Sequence, residues 1–409
     1  MNRLSFLGVP VLTAALLVSC TNKSSMARWQ SKTLDSASLN RIKFTVEPAP
    51  EWTRVFTRNS GWFGGDGIFA VTRDGKESPR AATSSEALFW FSDTMIGEIT
   101  KDSLKPGFRM VNNSVAELKG GWADSAGIAF KWARNIDGKP KSVFIPSTPA
   151  TGKEDYYWLG DGFVNHDKDK DLYIFGYRIR NTDPNVPFGF KEVGNTLVVI
   201  PKGEKPPFYR QRQIDIPFFL GKDVDSTGSF GAGLLVNTEG AGAPHPDGYL
   251  YVYGVRGQKK NVMVARVLPA DIETFENWTF WDGEEWTSDV NRIQSIADRA
   301  SNEMSVTPLP DGRYLMVFQA DGLGKYVGMR LGASPAGPFG PVINVYDVTN
   351  DLEKDKDIFP YNAKAHPVIS RPGELLISFN VNSFDFPNDI LKYPHLYRPR
   401  FIRLKYQLD

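Results

Sequence analysis

Two aspartates are set apart by what surrounds them. Asp66 lies between glycines in Gly61-Trp-Phe-Gly-Gly-Asp-Gly-Ile-Phe-Ala-Val71, and Asp93 follows the apolar run Leu88-Phe-Trp-Phe91 in Ser92-Asp-Thr94. A carboxylate among apolar strands is costly unless it is paired or put to use. Two such groups suit glycoside hydrolysis. One stays protonated and gives its proton to the leaving oxygen, while the other, ionised, activates water or attacks the sugar carbon. Neighbouring charge and apolar walls split the two pKa values into those roles. The glycines beside Asp66 let a substrate come close, which suits the base or nucleophile, and Asp93 is then the acid. The plainer reading of Ser92-Asp-Thr94 is a turn bonded to its own backbone.

The surroundings of Asp66 recur along the chain. Trp158-Leu-Gly-Asp-Gly-Phe-Val164 is followed by Leu172-Tyr-Ile-Phe175, and Gly231-Ala-Gly-Leu-Leu-Val-Asn237 by Tyr249-Leu-Tyr-Val-Tyr253. Asn302-Glu-Met-Ser-Val-Thr307 is followed by Tyr314-Leu-Met-Val-Phe318, and Ala365-His-Pro-Val-Ile-Ser370 by Leu375-Leu-Ile-Ser-Phe379. Each copy is a short strand, a turn and a strongly apolar strand, with hairpin chemistry at Asp247-Gly248, Asp311-Gly312 and Pro372-Gly373. The positions equivalent to Asp66 are Asp161, Ala232, Glu303 and His366, spaced by 95, 71, 71 and 63 residues. Each interval holds a sheet of about four strands, so five copies predict an all-β, five-bladed β-propeller in one domain. The first strands would surround a central channel, with Asp66, Asp161, Glu303 and His366 in a ring at one mouth. Asp93, ending the second strand of the first blade, returns to the same mouth.

Other candidates follow from this frame. Asn112 and Asn113 fall where the third strand of the first blade begins, placed to bond a polar ligand, or else to make a turn. Arg178 and Arg256 end the second strands of two blades, as substrate contacts or as rim ion pairs, which contribute little. Tyr361 and Lys364 stand just before His366. Trp278, Trp281 and Trp286 read as an outer hairpin with packing roles. Ile42-Lys-Phe-Thr-Val-Glu47 alternates in polarity and is expected to pair with Arg400-Phe-Ile-Arg-Leu-Lys-Tyr406, joining the first element to the last.

Composition sets bounds. Net charge is +1, with 48 basic and 47 acidic residues, which gives no electrostatic footprint for nucleic acid. Aromatic residues make up 13%, and Gly and Pro number 37 and 28, as in all-β proteins. Four histidines form no zinc motif, no cofactor motif is present, and neither a G-x-S-x-G elbow nor a P-loop occurs. The N-terminus reads as a processing signal: a basic start, an apolar stretch from Leu4 to Val18, and Leu17-Val-Ser-Cys20, which fits a bacterial lipobox. Cys20 is the only cysteine and the expected lipidation site. Residues 1–19 are then the signal, 20–40 a tether and 41–409 the propeller. Thr21 after the cysteine fits a protein anchored by lipid in the outer membrane.

Gly64-Gly-Asp-Gly67, Phe91-Ser-Asp-Thr94, Asn112-Asn-Ser114, Tyr251-Val-Tyr-Gly254, Tyr361-Asn-Ala-Lys-Ala-His-Pro367, Ile377-Ser-Phe-Asn-Val-Asn382 and Tyr397-Arg-Pro-Arg-Phe401 occur in this order. Together they resemble a family of secreted bacterial proteins of unknown function, related to endo-D-arabinanases that cut D-arabinofuranose chains. The resemblance runs from about Trp52 to Phe401. It implies a five-bladed propeller with an acidic axial site, and the family's first-blade aspartates match Asp66 and Asp93. Ser92 stands where the pattern has Gly.

These readings converge on a glycosidase cutting a furanose-containing polysaccharide with two carboxylates at the propeller axis, and the resemblance implies endo-action on D-arabinan. Asp66 and Asp93 are the expected catalytic pair, with Asp161 and Glu303 as alternates, and Asp161, Glu303, His366, Asn112, Asn113 and Arg178 are expected to bind substrate. No cofactor or metal is expected, although the ring leaves room for a channel cation. Two alternatives stand beside this: a propeller glycosidase acting on another glycan, and a non-catalytic glycan-binding lipoprotein. Tyr361, Lys364 and His366 also keep a lyase in view.

Overall fold

A computed structural model describes residues 36–183, 189–221 and 226–408. The expected signal and Cys20 lie outside the described residues. The fold is all-β: five antiparallel sheets of four or five strands follow one another along the chain. The first sheet runs Phe69–Thr72, Ala87–Phe91, Ser114–Leu118 and Ile128–Lys131. The second runs Tyr156–Asn165, Asp171–Asn181, Phe190–Ile200 and Arg212–Ile216. The third starts with Gly228–Val236 and ends in the hairpin Thr279–Trp281 and Trp286–Thr287, the outer hairpin expected for the three tryptophans. The fourth starts with Met304–Pro308 and the fifth with Ile358–Ala365. The fifth is completed by Lys43–Pro48, which pairs with Arg400–Gln407 so that Phe44 faces Tyr406 and Val46 faces Leu404. N- and C-terminal strands thus share one sheet.

The first strand of each sheet packs beside the first strand of the next, from the first sheet through to the fifth. Their free edges would leave backbone donors unmet. Polar side chains of the preceding sheet meet several of them: Ser92 Oγ accepts from Leu159 N at 2.8 Å, Asp161 Oδ2 from Leu234 N at 2.8 Å, and Ser305 Oγ from Ala365 N at 2.8 Å. Between the sheets lie fully buried aromatics, among them Trp90, Tyr173, Tyr253 and Trp278.

The Asp66 segment continues on both sides of the aspartate. It is two strands, Ser60–Gly65 and Phe69–Thr72, interrupted at 66–68. Ser60–Gly65 pairs with Thr94–Thr100 in a small extra sheet, while Phe69–Thr72 pairs with Ala87–Phe91. Glycine is required here on two counts. A Cβ at Gly64 would stand 2.2 Å from Tyr397 O, and Gly67 has φ +60° with Ser92 Oγ 2.7 Å from its Cβ position.

The packed body also begins earlier than the tether boundary suggests. Leu39 is buried in the core of the fourth and fifth sheets, and Arg313 Nη1 donates to Ser38 O and Arg41 O at 2.9 and 3.1 Å.

Candidate active site

Asp66 and Asp93 occupy matching breaks in two long strands. Gly65 faces Thr94 on one side of the break and Phe69 faces Trp90 on the other, in a single register, which sets Asp66 opposite Asp93. Asp66 N donates to Asp93 O at 3.2 Å, and Ser92 N donates to Asp66 O at 2.8 Å. Both side chains keep some solvent access.

Their environments differ. Tyr361 donates its hydroxyl to Asp66 Oδ2 at 2.6 Å, while Oδ1 is buried without a protein partner. Burial raises the Asp66 pKa above the ordinary carboxylate value; the Tyr361 and Tyr397 hydroxyls and the Lys364 charge act against it. Asp93 has weaker support: Asn112 Nδ2 donates to its Oδ1 at 3.2 Å. Burial, with the charge of Asp66 added, pushes Asp93 up to about 7, although Asn112 and the Trp158 indole favour its charged form. Burial thus raises both carboxyls, and the groups that favour charge are more numerous around Asp66 than around Asp93.

Glu303 stands on the other side of Asp66. Its Oε1 lies 3.2 Å from the Cβ position of Gly67 and accepts from Asn362 Nδ2 at 2.7 Å. Its Oε2 is ion-paired with Lys364, both side chains being buried, and Lys364 Nζ also donates to Ile68 O at 2.8 Å. Burial pushes Glu303 up to about 7 against the Lys364 charge, and pushes Lys364 down from the usual lysine value. Lys364 Nζ lies 3.7 Å from the Phe69 ring centroid, which adds a cation–π contact where water is scarce.

In three of the other sheets the equivalent place is a bulge, while in the fourth sheet Met304–Pro308 pairs in unbroken register and Glu303 stands just ahead of it. Pairing slips between Leu159 and Gly162, between Phe230 and Gly233, and between Tyr361 and Lys364. Asp161 and Ala232 sit in the first two, as their sequence positions imply. In the fifth sheet the bulge holds Asn362 and Ala363, so His366 is not the equivalent of Asp66. It lies past the strand, ahead of a short 3-10 turn at Pro367–Ile369. It is buried, bonds Ser378 Oγ at 2.7 Å, and burial pushes it down to about 3. With Asp161, Lys364 and Glu77 it lines a cavity of about 230 Å³ reached past the bulges.

The remaining candidates separate into two groups. Asn112 touches Asp93. Asn113 is fully buried and its amide is taken by backbone: Nδ2 donates to Phe144 O and Tyr157 O, and Oδ1 accepts from Phe144 N, so it fastens strands and does not face a ligand. Arg178 is likewise not at the acids. It is buried in an ion-pair network, with Nη1 2.5 Å from Asp215 Oδ1 and 3.0 Å from Thr148 Oγ1. Asp161 accepts from Gly162 N at 2.8 Å and, as above, from Leu234 N, and burial lifts it to about 6. Residues absent from the sequence-level set are Asn362, Tyr397, Trp158 and Glu192, a buried acid lifted to about 7. Tyr361 and Lys364 were visible only as neighbours of His366. Among the described residues no three His, Cys, Asp or Glu side chains converge as a metal-binding group, and no helix is long and apolar enough to cross a membrane.

Sheets whose first strands break around a buried cluster of acids define an all-β protein with a polar, titratable centre. The chain belongs to the family described as Domain of unknown function (DUF5005), matched over residues 50–406. No curated protein matches the sequence. The fold is shared with a "putative hydrolase" from Bacteroides ovatus ATCC 8483, at TM-score 0.67 and 20% identity over 92% of this chain and 97% of that one. More remote are an endo-arabinase from Bacteroides thetaiotaomicron VPI-5482 (TM-score 0.40, 13% identity, 90% and 98% covered) and an exo-beta-1,3-galactanase from Phanerochaete chrysosporium (0.42, 9%, 83% and 60%).

Proposed function

We propose that this protein is a glycoside hydrolase that cuts a furanose-containing polysaccharide, D-arabinan first among them, with Asp66 and Asp93 as its catalytic pair. The observation that carries the reading is the cross-strand placement of the two acids with unequal support. Around Asp66 the Tyr361 hydroxyl and the Lys364 charge favour the ionised form against burial. Asp93 is lifted to about 7 and has a proton to give. Asp93 protonates the glycosidic oxygen as the bond breaks, and Asp66 takes the developing positive charge at the anomeric carbon. Asn112 orients Asp93, and the Glu303–Lys364 pair sets the charge behind Asp66.

The scaffold we propose is a closed five-bladed propeller, each sheet a blade. Support comes from the serial packing of the first strands and from Lys364, which links the fifth sheet to Ile68 beside the first. Cys20 would carry a lipid and hold the protein at the outer membrane; radiolabelled fatty acid should enter the wild type and not Cys20→Ser.

Product analysis on D-arabinan, L-arabinan and galactan tests the activity. Short oligosaccharides from D-arabinan, lost in folded Asp66→Asn and Asp93→Asn, are the expected result. Binding of one glycan equally by all three proteins, with no cleavage, would replace the hydrolase by a glycan-binding protein.

A further inference from the structure

The sheets flanking Asp66 and Asp93 both present aromatic side chains just ahead of their bulges. In the fifth sheet Tyr361, bonded to Asp66, is followed outward by Phe359, whose ring centroid is 5.9 Å away, and then by Phe384 at 4.5 Å from Phe359. Phe384 is 52% exposed. In the second sheet Trp158 lies against Asp93, Tyr156 is 6.1 Å from Trp158, and Phe190 packs edge-on to Trp158 at 4.6 Å. Strand alternation sends Tyr157 into the core and leaves Tyr156 and Trp158 on the other face, both part-exposed. A single exposed aromatic is ordinary. Here two aromatic groups are each continuous with one of the paired acids, one on the fifth sheet and one on the second.

We propose that these groups are sugar-ring platforms that bracket the point of cleavage, with Phe384, backed by the buried Phe359, on the Asp66 side and Tyr156 and Trp158 on the Asp93 side. The apolar C–H faces of sugar rings stack on such surfaces, while their hydroxyls need polar partners at the edge. Tyr156 supplies one edge: its hydroxyl donates to Asn181 Oδ1 at 3.1 Å, which orients it. A ring held on each side of the acids places an internal bond of a glycan chain between them, so the enzyme cuts within the polymer and not from its end. The inference rests on the glycosidase reading and adds where the substrate lies.

The test separates binding from cleavage. In an Asp66→Asn background, migration is followed through gels containing D-arabinan, L-arabinan or galactan, for the parent and for added Phe384→Ala or Tyr156→Ala. Unchanged melting temperatures verify folding. The expected result is that one glycan retards the parent and that each aromatic variant weakens this about tenfold, as loss of a buried anchor does. With Asp66 intact, wild type should release mid-length fragments first, and the same two variants should raise KM with little change in the pH profile. Equal retardation of all three proteins, an effect of only one variant, retardation by no gel, or release of single terminal sugars would each overturn the proposal. If the variants weaken binding but wild type cuts nothing, the platforms stand and the hydrolase falls; if wild type cuts and the variants cut equally well, the reverse holds.

Discussion

Asp66 and Asp93 are cross-strand partners. They are 27 positions apart in the chain, yet the pairings Gly65 with Thr94 and Phe69 with Trp90 bring them face to face where both strands break. One register runs through the break and sets the two acids opposite each other, and the charge of Asp66 adds to burial in raising Asp93.

Asp93→Asn should abolish catalysis and stabilise the protein. Loss of a general acid lowers kcat by about 10²–10⁴-fold. Because Asp93 is raised in the folded state from 3.8 to about 7, the native protein binds more protons than the unfolded chain between those values, and stability falls as pH rises through that window. The neutral amide escapes that loss. A melting temperature higher than wild type by a few degrees at pH 8, and a difference that closes towards pH 4, is the expected outcome by calorimetry. In wild type, kcat should fall as pH rises through about 7.

Tyr361→Phe should act through Asp66. The lost hydroxyl favoured the charged carboxylate, so the Asp66 pKa rises further. The low-pH limb of the kcat/KM profile then moves to higher pH, with a drop of roughly 10-fold or more at neutral pH. A uniform loss at all pH values would show that Tyr361 serves packing alone.

Lys364→Met should be severely destabilising, since it leaves Glu303 buried without its counter-charge; about 3–5 kcal/mol is the usual scale for breaking such a pair. Adding Glu303→Gln should recover most of the loss, because both charges are then gone. Urea unfolding of the single and double variants measures it. A double variant no more stable than Lys364→Met would mean that the Lys364 contact with Ile68 O, and not the ion pair, holds the two sheets together.

Much of this was legible in the sequence, and what was not has a physical cause. Apolar runs marked the first and second strands, because a buried strand needs such side chains whatever surrounds it. The alternation of Ile42–Glu47 marked a strand that pairs with the C-terminus. Bulges have no such signature: they depend on backbone geometry, so the fifth sheet was framed on the apolar Ala365–Ser370 run, and Asn362, a polar residue at φ +56°, was passed over. Tyr361 reaches Asp66 across 295 positions, a contact that only the arrangement of sheets creates. Arg178 and Asn113 were read as ligand-facing because their types suit it. Their partners Asp215, Phe144 and Tyr157 come from segments distant in the sequence, so these contacts cannot be seen locally.

His366 offers a stability test away from the acids. Its folded pKa is lowered by burial from 6.5 to about 3, so the unfolded chain binds the extra proton first. The sign is opposite to that of Asp93: the stability contributed by neutral His366 is complete above pH 6.5 and is lost as pH falls from there towards 3. Its Nε2 bonds Ser378 Oγ, and glutamine can keep a polar contact there without titrating. His366→Gln should therefore lose a little stability at pH 7.5 but show a flatter fall in melting temperature between pH 6.5 and 4. Product formation from glycan should change little at neutral pH, because His366 lies past the bulge and not beside Asp66. If His366→Gln instead abolishes cleavage while remaining folded, the histidine belongs with the catalytic acids and the cavity it lines is part of the substrate path.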